Sequence, residues 1–133
     1  MKNLFDVNGK VAVVTGGSCG IGAMIARGFV ENGVKTYITA RKEQELHATQ
    51  QELAALGECI AIRSDLSTVA GVIAFAAAIR AAENKVHILV NNAGATWGAD
   101  IDSFPESGWD KTMDLNVKAM FFLTQQLLPA LRA

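Results

Sequence analysis

Four short runs rich in β-branched residues alternate with longer segments of helical period, and that alternation points the chain toward a parallel sheet with crossover helices. The runs are Val11–Thr15, Val34–Thr39, Cys59–Arg63 and Val86–Val90. Each is too apolar to keep one face in water, so all four are expected in central or near-central positions. Between the first two, Ile21, Met24, Ile25, Gly28 and Phe29 recur at helical spacing and predict the inward stripe of a helix that Asn32-Gly33 ends. Glu43–Leu56 repeats the theme, with Leu46, Leu53 and Leu56 inward and Gly57 as its stop. Ser67 is expected to cap a third helix that buries Val69, Val72, Ile73, Ala76 and Ile79. From about Pro105 a long helical pattern turns Trp109, Met113, Val117, Met120, Leu127 and Leu131 inward. Right-handed crossovers then give the strand order 3-2-1-4, half of a doubly wound sheet.

Composition bounds what such a sheet does. The 133 residues carry 12 Lys+Arg against 13 Asp+Glu, and half are hydrophobic, which fits one compact domain, 1–133, with no internal boundary. A net charge of −1 without a Lys/Arg block argues against nucleic acid and anionic membranes as partners. The longest apolar stretch without a charge, Val69–Ile79, falls well short of the roughly 20 residues of a membrane span. The polar start, Met1-Lys2-Asn3, develops no secretory h-region, so the expected compartment is the cytosol and Cys19 and Cys59 are expected as free thiols. No metal site is expected.

At the carboxyl end of the first run the sequence reads Thr15-Gly16-Gly17-Ser18-Cys19-Gly20-Ile21-Gly22, and the first helix begins inside it. Glycines there let the backbone turn sharply, approach a pyrophosphate and pack the helix close to the strand, while the helix start offers unpaired N–H groups. An anionic dinucleotide fits. Close packing alone also explains glycines at this spacing, which is G-x-x-x-G-x-G rather than G-x-G-x-x-G. A P-loop is excluded, because Ala23 stands where that motif needs Lys. Gly16-Gly17-Ser18-Cys19-Gly20 also matches a G-x-S-x-G nucleophile elbow, with Ser18 as the nucleophile of a serine hydrolase. That reading lacks an earlier strand for its oxyanion loop. Its histidines are badly placed: His47 on a solvated helix face, His87 at the amino end of the fourth run.

Where a carboxylate at the end of the second strand would bond the ribose 2′-OH of NAD, this chain has Ala40-Arg41-Lys42. A guanidinium pairs with a 2′-phosphate, so Arg41 favours NADP, with a solvated helix-start arginine as the plainer alternative.

Four motifs in register give the chain its resemblance to the short-chain dehydrogenase/reductase family. They are Thr15-Gly-x-x-x-Gly20-Ile21-Gly22, Asp65-Leu66 after the third run, Asn91-Asn92-Ala93-Gly94 after the fourth, and Leu115-Asn116-Val117 on the long helix. The resemblance covers nearly the whole chain and implies a Rossmann-like fold of three αβα layers. Asn91 to Ala99, with Gln125-Gln126-Leu127-Leu128-Pro129, is similar to 3-oxoacyl-acyl-carrier-protein reductases of the rhamnolipid type. It implies that Gly16, Ser18, Cys19, Gly20, Ile21, Gly22, Arg41, Asp65, Leu66, Asn92, Ala93 and Gly94 bind NADP(H). Within that set Asp65 takes the adenine amino group, Leu66 packs near its ring, and Asn92, Ala93 and Gly94 line the ribose. Asn116 is implied to be catalytic, sitting in a locally distorted helix whose main-chain carbonyl holds a water. For Asp65, Asn92 and Asn116 the plainer readings are a cap, a turn and a solvated polar residue.

Many NADP-preferring relatives carry Arg at the position of Cys19, so the NADP preference here is expected to be weaker. Cys19, at a helix start beside an anion site, is expected to be alkylated faster than Cys59 and protected by cofactor. The family's Ser and Tyr-x-x-x-Lys are absent, and Tyr37, the sole tyrosine, lies inside the second run. The resemblance therefore implies an NADPH-dependent reductase of a small-molecule carbonyl or 3-oxoacyl thioester, a dimer or tetramer when full length. The 133 residues themselves are expected to be a carboxyl-terminally truncated stretch that binds cofactor without turning over. A non-catalytic NADP(H)-binding module or a naturally truncated product is the alternative from another class.

Overall fold

The computed structural model describes residues 3–133. Its elements are β1 (Val11–Thr15), α1 (Gly20–Glu31), β2 (Lys35–Thr39), α2 (Glu43–Ala54), β3 (Cys59–Ala61), α3 (Val69–Ala82) and β4 (Ile88–Val90). A short 3₁₀ turn, Ile101–Ser103, then leads to α4 (Glu106–Met113), a π-helical turn over Asp114–Lys118, and α5 (Ala119–Arg132). The four strands are parallel and lie in the order β3-β2-β1-β4, as the crossover rule predicts.

Strand side chains alternate between the two faces, and the core divides accordingly. Val13 and Tyr37 face one layer with Val72, Phe75, Ala76 and Ile79 of α3 and Leu123 and Leu127 of α5. Val14 and Ile38 face the other, with Ala26 and Val30 of α1 and Leu46 and Leu53 of α2. Three layers result, and the carboxyl ends of the strands share one edge.

The strands are shorter than the apolar runs because flanking residues have other partners. Val34 donates to the Phe29 carbonyl in the turn that closes α1, where Gly33 has φ 75°. Val86 donates to Ala130 of α5, so β4 starts only at Ile88. Arg63 lies beyond β3, although Ile62 still donates to Ile38. Nor are all strands central: β3 and β4 form the edges, and β4 is only half-buried.

Several inward stripes are corrected. In α1 the buried positions are Gly22, Ala26 and Val30, whereas Ile21 and Met24 are 69% and 72% exposed. Gly28 is exposed as well, and Ile25 and Phe29 are half-buried at the core's margin. The close approach at Gly22 sets this rotation, because that position meets the β1 turn directly. In α2, Leu56 lies past the helix end at Ala54 and is exposed. Thr68, not Ser67, caps α3, accepting from the Gly71 N–H at 3.0 Å. Phe75 takes the buried place expected of Ile73 there. The largest correction lies after Pro105, where Trp109, Met113, Val117 and Met120 are exposed and Ala119, Leu123, Leu127 and Ala130 are buried. The π turn breaks the constant period that the pattern assumes, and the face of α5 that packs on α3 is the one carrying Leu123 and Leu127. Only Leu127 and the half-buried Leu131 keep their expected side.

Candidate functional site

The β1–α1 turn is fixed from both sides of the sheet. Gly16 has φ 65° and packs so tightly that a Cβ would stand 3.0 Å from the Ala93 Cα. Gly17 donates its N–H to the Thr39 carbonyl, tying the turn to β2. A Cβ at Gly22 would collide with the Gly16 carbonyl oxygen, so only glycine lets α1 approach the strand this closely. Gly20 differs: its φ is 56°, yet nothing lies within 4 Å of a Cβ there. Its surroundings are open.

α1 starts without a side-chain cap, because Cys19 makes no cap hydrogen bond. The first-turn N–H groups of a helix have no intrahelical partner, so this start keeps donors and a partial positive charge available to an anion. α3 is the contrast, its start answered by Thr68.

The uncapped start opens on a cleft of about 240 Å³ at the carboxyl ends of the strands. Gly16, Ser18 and Cys19 form one wall, Ala40, Arg41 and Lys42 a second, and Leu66, Ala93 and Gly94 the side opposite. Leu115, from the motif on the long helix, completes it with Thr39, Ser64 and Glu45, and no sequence motif singled out the last three. Glu45 accepts from Ser18 Oγ at 2.9 Å. Bonds from Ser18 and then Cys19 hold its carboxyl below the ordinary carboxylate value. Thr49, one helical turn on, donates to the Ser18 carbonyl at 2.6 Å.

The β4 end is tied to the same turn. Thr15 Oγ1 accepts from the N–H groups of Asn92 and Ala93 at 3.0 and 2.9 Å. The Asn92 side-chain amide donates to the carbonyls of Thr15 and Gly16 at 3.0 and 3.2 Å. Asn92 therefore supports the turn, and its side-chain amide donors are already engaged. Asn116, inside the π turn, makes a two-point pair with Ala95: its Oδ1 accepts from the N–H and its amide donates to the carbonyl, both at 2.7 Å. A Cβ at Gly94 would stand 3.0 Å from Asn116 Oδ1, so the pairing relies on a small residue there. Trp97 of the same loop packs on Gly108 of α4, with Lys111 over its ring at 5.5 Å.

Of the expected site residues, Gly16, Ser18, Cys19, Arg41, Leu66, Ala93 and Gly94 line one cleft. Gly20 flanks it, while Ile21, Gly22, Asp65, Asn92 and Asn116 lie outside its lining. Asp65 accepts from the Ser67 hydroxyl and N–H at 2.6 and 3.0 Å. These bonds, and then the charges of Arg41 and Arg63, hold its carboxyl below its usual value. Arg63 Nε also donates to the Arg41 carbonyl, steadying that wall. Ser18 has a carboxylate partner and neither imidazole: His47 faces Glu43, and His87 accepts the Val11 N–H on its Nδ1 at the amino end of the sheet. Among the described residues, no cluster of His, Cys, Asp and Glu is arranged to hold a metal ion, and no helix is long and apolar enough to cross a membrane.

Residues 10–133 match the short chain dehydrogenase family. The chain is 48% identical over 132 residues to the rhamnolipids biosynthesis 3-oxoacyl-[acyl-carrier-protein] reductase of Pseudomonas aeruginosa, covering 99% of this chain and 52% of that protein. It is 37% identical to the 2-dehydro-3-deoxy-D-gluconate 5-dehydrogenase of Dickeya dadantii, covering 92% and 48%. The Pseudomonas aeruginosa RhlG/NADP active-site complex superposes with a TM-score of 0.93 at 48% identity, covering 99% of this chain and 52% of that one. The L-sorbose reductase of Gluconobacter frateurii, complexed with NADPH and L-sorbose, gives a TM-score of 0.89 at 34% identity, covering 95% and 49%. The chain spans about half the length of the curated relatives it matches.

Proposed function

We propose, from the premise that this chain belongs to the short-chain dehydrogenase family, that it is the NADP(H)-binding part of an oxidoreductase acting on a carbonyl. The likeness to the rhamnolipid reductase supports a 3-oxoacyl thioester as the substrate. The observation that carries the reading is an uncapped helix start facing a cleft that also contains Arg41 and Lys42.

The fit follows from the chain's own groups. The α1 start receives the pyrophosphate, and the open space around Gly20 admits it. Arg41 takes the 2′-phosphate, assisted by Lys42. Leu66 packs against the adenine with Asp65 beside it, and Ala93 and Gly94 lie against the ribose. Ser18 and Cys19 close the turn over the cofactor, while Gly22 and Asn92 fix its shape. Asn116 holds the loop from Gly94 to Trp97 in place through Ala95. Bound NADPH supplies the hydride.

The proton is assigned to a group outside these residues, because the Tyr37 hydroxyl donates to Glu83 at 2.7 Å, away from the cleft. Residues 1–133 thus act as one cofactor-orienting domain that does not itself complete a reduction. Self-association of the full protein is supported by exposed Val117, Met120 and Phe121 on the α5 side.

Titration with NADPH and NADH, followed by cofactor fluorescence, tests the reading. NADPH is expected to bind, and Arg41→Ala is expected to weaken it by about tenfold or more with a smaller effect on NADH. Binding of neither cofactor, or an equal loss of both in Arg41→Ala, overturns the assignment. The full protein is then expected to oxidise NADPH when given a 3-oxoacyl thioester.

A further inference from the structure

Glu45 stands in the cofactor cleft on the side of Arg41 and Lys42, and nothing in the glycine turn or the family motifs anticipates a carboxylate there. α2 carries two acids in its first turn. Glu43 turns outward toward His47, whereas Glu45 turns in and takes the Ser18 hydroxyl. Ser18 has one hydroxyl hydrogen, and it is committed to this carboxylate.

The consequence depends on what hangs from the adenosine ribose at the carboxyl end of the second strand. A 2′-hydroxyl is a donor, and a carboxylate beside it accepts. A 2′-phosphate is an anion without a hydrogen to offer, so it meets repulsion from Glu45 and finds the Ser18 donor already occupied. Arg41 and Lys42 act in the opposite sense. Cys19, on the turn side of the same cleft, offers no positive charge to tip the balance.

We propose that Glu45 is a specificity-determining residue of this cleft, accepting the ribose 2′-hydroxyl of NADH and opposing the 2′-phosphate of NADPH, so that the protein uses both cofactors. The inference rests on the cofactor reading above and deepens it. A role confined to tying α2 to the turn is separable, since Thr49 already makes such a tie and would make it for either cofactor.

The test compares Glu45→Gln, which keeps an acceptor for Ser18 but removes the charge, with Glu45→Ala, using NADPH and NADH as the probes. Both variants are expected to shift the ratio of the two dissociation constants toward NADPH by about tenfold at low salt, and by less at high salt because the carboxylate is open to solvent. A ratio unchanged in Glu45→Gln, or an equal change for both cofactors, overturns the role of Glu45 while leaving the cofactor reading intact. Binding of neither cofactor by the unmodified protein overturns both.

Discussion

At the amino end of the sheet Lys35 reaches Glu83 at 2.6 Å, Tyr37 donates to the same carboxylate, and His87 accepts the Val11 N–H, so polar groups there answer one another. At the carboxyl end the first-turn donors of α1 lack a side-chain cap, and Arg41 and Lys42 line an open cleft. Both ends are rich in charge. The second brings a helix start without a side-chain cap and two cations onto one cleft, and that convergence, rather than charge density, marks the ligand site. The contrast also appears between two helices: Thr68 caps α3, whereas Cys19 leaves α1 uncapped.

The firmest way to break the comparison is to close the carboxyl end by force. Gly22→Ala would put a Cβ against the Gly16 carbonyl and the Asn92 amide, and is expected to destabilise the fold by about 2–4 kcal/mol in urea unfolding. Gly28→Ala on the same helix meets nothing within 4 Å and is expected to stabilise by up to about 1 kcal/mol. Equal effects would show that the turn is not the constraint.

Opening the amino end is the next test. Burial disfavours charge on Glu83, but the bonds from Lys35 and Tyr37 outweigh it and keep the carboxyl below its ordinary value. Glu83→Gln is expected to cost about 1–3 kcal/mol near neutral pH, because the Lys35 ammonium is left without its countercharge and a neutral amide oxygen replaces the carboxylate it shares with the phenol. A lowered carboxyl value in the folded state means that this stabilisation is full above the ordinary carboxylate range and disappears as pH falls through the folded value. The unmodified protein should thus lose more stability in acid than Glu83→Gln does, the remainder of the loss belonging to Asp65 and Glu45. Identical acid profiles would remove the cluster from the stability of that end.

The smallest effect is chemical. Cys19 is exposed at the cleft, whereas Cys59 is buried and its thiol is pushed up to about 11 by that burial. Iodoacetamide is expected to add one label to the native protein, at Cys19, more slowly with NADPH present. Two labels appearing at equal rates would contradict both placements.

Much of this was legible along the chain. The β-branched runs and helical periods specified strand order, because short crossovers of one hand leave few arrangements. The glycine turn specified the cleft, because a positive φ at Gly16 and Gly20 and a near-contact at Gly22 are demands local to the backbone. Helix rotation was not legible. α3 is apolar around most of its circumference, so several phases fit the sequence, and packing against the sheet and α5 selected Phe75 over Ile73. Downstream, a π turn at Asp114–Lys118 interrupts the helix, and packing of α5 on α3 and the sheet buried Ala119 and Leu123 in place of Met120.

The sequence by itself therefore determined the sheet order, the turn and the arginine at the end of the second strand, each written in contiguous residues. Only the tertiary structure decided which polar groups were spent on one another: Asn92 on the turn, Asn116 on Ala95, Tyr37 on Glu83 and Glu45 on Ser18. Those partners lie 21 to 77 residues apart in the chain, and hydrogen bonds of that reach are set by how whole elements pack, not by any local pattern.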